Sequence, residues 1–290
     1  MRFFPDAPRP RHDRPPTGLR AVAGATAAAA GALTVLLLML PGGEDPTPRA
    51  LSADEARRMA LARFRAYEAS PAEVRVRLPP TGEETGTVTV RAVVDHRARR
   101  AVGACEMKDG AHTSRVLLSW DPDGVAEVRP RAPATAGGRG TGAQENRTPA
   151  PAPEVVTTAA QAVRRARVLE PGRWTRRPYS TSPLDRALRL VLSVASDHPG
   201  DARRLARSGP LWLREEKLDG HGYGVFSGPR PTASPADTSP LTYWIDAEGG
   251  LRRVTARVTP GHYATVDFVA ARVPAGVPGT PWEKTPREKK

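Results

Sequence analysis

Cysteine is nearly missing from this chain of 290 residues, and Cys105 is the only one. No intramolecular disulfide can form, so the fold has to stand on its core alone. That core draws on modest means, because apolar residues make up 39% and aromatics 5% of the chain, against an apolar norm of about 45–50%. Lysine is scarce too. Only Lys108, Lys217, Lys284, Lys289 and Lys290 stand among the 44 basic residues. A phosphate-binding surface uses both arginine forks and mobile lysine charges, so this ratio reads as an Arg- and Ala-rich coding bias rather than selection for a ligand.

Catalytic signatures are missing as well. There is no H-E-x-x-H, C-x-x-C, G-x-S-x-G or Walker sequence. Gly220-His221-Gly222-Tyr223-Gly224 lacks the G-x-G-x-x-G spacing and reads as a turn. His96, His112, His198, His221 and His262 are scattered singly, most of them beside turns or strand ends. Asp95 and His96 adjoin, but strand neighbours point to opposite faces, so they form no dyad. No catalytic residue, metal site or cofactor is expected, and the chain does not read as an enzyme.

Proline (31) and glycine (26) are abundant, and basic residues exceed acidic ones by 13. Such a surplus ordinarily suggests nucleic acid, but a membrane segment removes that reading. From Ala21 to Leu40 the chain runs AVAGATAAAAGALTVLLLML, twenty residues without charge or proline. As a helix this spans the roughly 30 Å hydrocarbon core of a bilayer. Arg2, Arg9, Arg11, Arg14 and Arg20 precede it against Asp6 and Asp13, while Glu44 and Asp45 follow it. The positive-inside rule then keeps the 1–20 tail, Pro- and Arg-rich and disordered in expectation, in the cytoplasm. Everything after Leu40 is exported, which gives a single-pass cell-membrane protein with the bulk of the chain extracytoplasmic and no nucleic acid partner. The rival is a cleaved signal peptide. The apolar stretch exceeds the usual 7–15 residues, and Leu38-Met39-Leu40-Pro41 is a poor cleavage site. No cysteine directly follows the segment, so a lipoprotein is excluded. Gly24, Ala28 and Ala32 form a small-residue row that could pack two such helices together.

After a spacer (41–51), Ser52-Ala53-Asp54-Glu55 matches a capping box, and Ala56, Met59, Ala60, Phe64 and Tyr67 recur at helical spacing. Alternating residues then predict strands at 74–78, 88–94, 114–120 and 125–129. From about 131 to 155 the composition turns to Pro, Gly and Ala without periodicity, a linker that interrupts the domain. Thr158 to Gln161 could cap a short helix. Ser182-Pro183 starts another that carries Leu184, Leu188, Val191 and Leu192. A hairpin across Asp219-Gly220-His221-Gly222 and three further strands (241–246, 251–258, 263–269) complete an exported domain over 52–273, and 274–290 reads as a loose tail. Cys105 reads as a buried apolar residue, with an exposed thiol as the alternative.

The aromatics concentrate at strand positions. Core packing explains that, or else part of this surface lines a hydrophobic ligand cavity between a curved sheet and the helices. Val90, Leu118, Trp120, Trp212, Tyr243, Ile245 and Phe268 are the residues that would line it. The ending LTYWIDAEGGLRRVTARV followed by ATVDF resembles the last strands of the LppX/LprG-type lipoproteins of actinobacteria and, more distantly, of the LolA-type lipoprotein carriers. With RLARSGPLWLREEKLDGHGYGVFSGP, it also resembles a set of actinomycete single-pass membrane proteins. The resemblance implies an α+β fold, a half-barrel of curved antiparallel sheet with helices on its concave side, and a cavity for acyl chains. The chain departs from those lipoproteins in lacking the lipobox cysteine and in being tethered by a transmembrane helix, which prevents free ferrying of lipid. The expected function is a non-enzymatic, membrane-anchored envelope module that binds a hydrophobic ligand or a protein partner. The alternative is a structural component of an envelope-spanning secretion or conjugation assembly.

Overall fold

The computed structural model describes residues 46–80, 86–129, 155–230, 239–273 and 276–283. The expected membrane helix at 21–40 and the cytoplasmic tail lie outside the described residues, as does the interrupting linker except for Val155. Among the described residues no helix is long and apolar enough to cross a membrane.

Twelve antiparallel strands form one curved, unclosed sheet. In chain order they are β1 (Arg49–Ala50), β2 (Ala72–Leu78), β3 (Thr87–Asp95), β4 (Arg100–Asp109), β5 (His112–Asp121), β6 (Gly124–Val128), β7 (Thr175–Arg177), β8 (Leu211–Leu218), β9 (His221–Ser227), β10 (Leu241–Ile245), β11 (Leu251–Thr259) and β12 (His262–Arg272). Their spatial order is β1-β8-β9-β10-β11-β12-β2-β3-β4-β5-β6-β7. Two meanders, β2 to β6 and β8 to β12, are therefore sewn together in mid-sheet where β12 pairs with β2, Val266 opposite Val76. The edge strands β1 and β7 are two and three residues long. Short edges of this kind limit pairing with other chains. Beyond the part of β8 that β1 covers, Arg214, Glu215, Glu216 and Lys217 add charge to the same effect.

Among the described residues four α-helices accompany the sheet: α1 (Ala53–Glu68), α2 (Ala159–Val168), α3 (Pro183–Ser193) and α4 (Ala202–Arg207). The first forms where the capping box predicts it. The Ser52 hydroxyl accepts from the Glu55 N–H, and Glu55 accepts from the Ser52 N–H at 2.8 Å. Both Glu55 oxygens also accept from Arg49 at 2.7 Å. That guanidinium, more than the Ser52 donors, holds the Glu55 carboxyl down at about 2. A second capping box, Thr158 with Gln161, starts α2. Ser182 caps α3, with Pro183 at its first position.

One face of the sheet gathers apolar side chains from β2 to β6 and β9 to β12 around α1 and α3. A single cluster drawn from so many strands requires the sheet to wrap the two helices, so this is the concave face. Here the structure corrects one expectation. Helix α2 lies on the opposite, convex face, where Ala159, Ala162 and Val163 pack on Val93, Val102, Ala104 and Leu117. With both of its faces covered, β4 loses the polar–apolar alternation that marks a half-buried strand, and for that reason the sequence pattern conceals it. Gly103 in β4 faces Ala92 in β3, and a Cβ there would lie 2.6 Å from the Ala92 methyl. Glycine is thus required at this contact between the two strands. Cys105, on the same strand, is buried, and burial pushes its thiol up to about 12, in keeping with the apolar role expected of it.

Of the stretch from 274 onward that reads as a loose tail, only residues 276–283 are described, and these are packed. Residues 276–283 lie against the convex side, with Val277 and Thr280 buried. Arg167 donates to the Gly276 carbonyl at 2.7 Å, and the Arg176 guanidinium sits 4.6 Å over the Trp282 ring. Proline and glycine had suggested a free end; three arginine contacts, the third from Arg100, make it a strap.

Candidate functional site

The seven residues singled out as cavity-lining do come together. Val90, Leu118, Trp120, Tyr243, Ile245 and Phe268 belong to the one concave-face cluster, and Trp212 packs against it half-buried. The period of two explains this, since Leu118 with Trp120, and Tyr243 with Ile245, lie two apart and share a face. What they meet there is protein. Met59, Ala62 and Ala66 of α1 and Leu188, Val191 and Leu192 of α3 fill the same cluster. Val90, Trp120 and Ile245 are 0% exposed. The Trp120 indole donates to the Leu188 carbonyl at 3.2 Å, pinning the ring to α3. At the edge of the cluster Arg49 stacks 4.4 Å over the Trp212 ring.

The buried ionisable groups mostly serve the fold. Asp185, 0% exposed at the start of α3, accepts from both Arg177 terminal nitrogens at 2.7 and 2.8 Å. It also accepts from the Ser180 N–H and hydroxyl, each at 2.6 Å. Asp267 bridges Arg77 and Arg253 on the convex side, both at 2.6 Å. Among the described residues no three His, Cys, Asp or Glu side chains gather as a metal set.

His96 is the exception. It is 4% exposed, its ring nitrogens have no hydrogen-bond partner, and its ring centroid lies 6.5 Å from that of Phe268. Burial pulls its pKa down to about 4, and the Asp95 charge offsets only part of that. The unfolded chain therefore takes up a proton near 6.5 that the folded chain refuses until about 4. Stability is fully present above that window and is lost as pH falls through it, by at most about 3 kcal/mol. In denaturant titrations at stepped pH, His96→Leu is expected to flatten this part of the profile; an unchanged slope would assign the acid sensitivity to other groups.

Cavities open beside the sheet among the described residues. One, of about 440 Å³, opens between the end of α1 and the β10–β11 turn, with Arg65, Glu68, Asp246, Arg252 and Phe268 in its lining. Another, of about 500 Å³, lies on the convex side between β4, β5, the end of α2 and the C-terminal strap. Apolar groups line part of it: Leu169, Pro171, Trp174 and two strap prolines, Pro278 and Pro281. Polar groups line the rest: Arg100, Ser119, Arg167, Thr280 and Glu283. Ser119 is 1% exposed and its hydroxyl has no partner. The Arg100 Nε–H is buried without an acceptor, while its Nη1 donates to Glu283 at 2.9 Å. Sequence reasoning passed over these residues. In the sequence Arg100 merely ends the basic run Arg97 to Arg100, and Ser119 stands between Leu118 and Trp120 as the polar member of an alternating strand.

The curved, unclosed antiparallel sheet with helices packed on it is an α+β half-barrel architecture. No family model matches the chain, and no curated protein matches it.

Proposed function

We propose that this chain is a membrane-anchored, extracytoplasmic binding module that works through contact rather than catalysis, held to the bilayer by the 21–40 helix. The observation that carries the reading is the concave face packed shut by α1 and α3, with Trp120 tied to the Leu188 carbonyl. A lipid carrier of the LppX/LprG or LolA kind needs that face free for acyl chains. Here the helices already supply the apolar partners that a lipid would supply. A tether at one end suits a module that meets a partner in the envelope. The pairing of the buried carboxylates Glu55, Asp185 and Asp267 with arginines supports the non-enzymatic part, because each is committed to a structural contact.

Native mass spectrometry of the full chain released from detergent micelles tests this. The expected spectrum shows the chain without acyl lipid, and protease treatment of sealed vesicles degrades the 46–283 region from the extracytoplasmic side only. A stoichiometric lipid mass that survives activation would replace the contact reading with a carrier.

A further inference from the structure

We infer that the convex-side cavity is a binding site for a small organic anion, with a carboxylate-type head held by Arg100 and Ser119 and an apolar body held against Leu169, Pro171 and Trp174. The inference rests on the binding-module reading and names a ligand class for it. Its volume of about 500 Å³ falls within the range of small-molecule sites, about 300–1,000 Å³. Mixed linings with a few convergent polar groups are the usual form of such sites.

The polar groups specify the head. Of the two orphaned groups the Arg100 Nε–H can only donate, and the Ser119 hydroxyl can donate as well as accept. Buried donors without acceptors are costly, and a ligand offering acceptor oxygens removes that cost. The two residues are diagonal neighbours, since Val102 of β4 pairs with Ser119 of β5 and Arg100 lies two residues along the same face. Diagonal neighbours of this kind stand about 7–8 Å apart, within the span of one bridging carboxylate or phosphate group. Arg100 and Arg167 outnumber Glu283 among the charged lining groups, so the local field favours an anion.

The strap supplies the second half of the inference. Glu283 places its own carboxylate on Arg100, and its side chain is 55% exposed. It acts as a resident head group that an incoming anion displaces, leaving the strap anchored by Val277 and by the Arg176–Trp282 stack. The C-terminal strap thus regulates access to the site by competition.

Isothermal titration of the full chain in nanodiscs with 3-phenylpropionate tests this, with its neutral amide and inorganic phosphate as companion probes. The acid is expected to bind and the amide to bind at least about tenfold more weakly. Ser119→Ala, a change too small to threaten the fold, is expected to weaken the acid about tenfold. Glu283→Gln removes the competitor and is expected to tighten the acid up to about fivefold. Phosphate binding alone would keep the anion head and remove the apolar body from the inference. Equal affinities for acid and amide, or for the native chain and both variants, would overturn it. A chain that carries no lipid and ignores 3-phenylpropionate leaves the contact module standing and removes only this site.

Discussion

Trp120→Ala is expected to cost about 3–5 kcal/mol in urea unfolding of the full chain, as buried tryptophan truncations do. The ring is 0% exposed among Leu118, Val125 and the α3 residues Leu188 and Val191, and its N–H satisfies the Leu188 carbonyl. Truncation opens a void on the concave face and releases α3 from β5 in one step. Against a total stability of about 5–15 kcal/mol, a loss of that size leaves a marginal fold. Trp120→Phe keeps most of the area and loses only the hydrogen bond, so about 1–2 kcal/mol is expected there. The pair separates two pictures of the concave face. If Trp120 lined an open cavity, its truncation would enlarge a space already present and cost under about 1 kcal/mol. A result that small would revive the carrier fold.

The same residue shows how far the sequence could be read. Its place on the inward face follows from alternation in 114–120, and the family likeness of the ending implied a curved sheet around helices. Alternation reports only that a face is covered. It is silent on whether helix or ligand covers it, because the docking of α3 on β2, β3, β11 and β12 joins segments far apart in the chain. The capping boxes at Ser52 and Thr158 were legible for the opposite reason, since cap and partner lie three residues apart. Strand β4 escaped because both its faces are buried, and β1 and β7 because two or three residues carry no period.

At the convex cavity the sequence offered even less. Arg100 and Ser119 are ordinary residues in ordinary strands, and only the strap that crosses them makes a site. The strap itself reads as a tail, since proline and glycine mark it and Val277 alone supplies a buried apolar anchor. The basic surplus also changes its meaning. Arg177, Arg167, Arg176 and Arg100 are fasteners that hold an edge strand, a strap and a helix to the sheet. A chain without disulfides uses guanidinium forks where others use cross-links.

Asp185 carries the heaviest of those fasteners. Burial pushes its carboxyl up, but the Arg177 fork and the two Ser180 donors outweigh that and leave it below the ordinary carboxylate range. Arg177 is raised in turn, chiefly by its bond to Asp185. Because the folded-state pKa of Asp185 lies below its unfolded value, its contribution is present at neutral pH and is lost as pH falls through the carboxylate range. Asp185→Ala strands Arg177 on the edge strand β7 and strips two donors at Ser180, so a loss of about 3–5 kcal/mol is expected. Arg177→Ala should cost less, about 1–2 kcal/mol, because Ser180 still satisfies the remaining carboxylate. Replacing both, as Arg177→Met with Asp185→Leu, removes the charges together and is expected to recover much of the loss. Hydrogen exchange would locate the damage, with β7 and the first turn of α3 losing protection together. If Asp185→Ala unfolds at the native urea midpoint, the ion pair is ornamental and β7 is held by its three backbone partners in β6 alone.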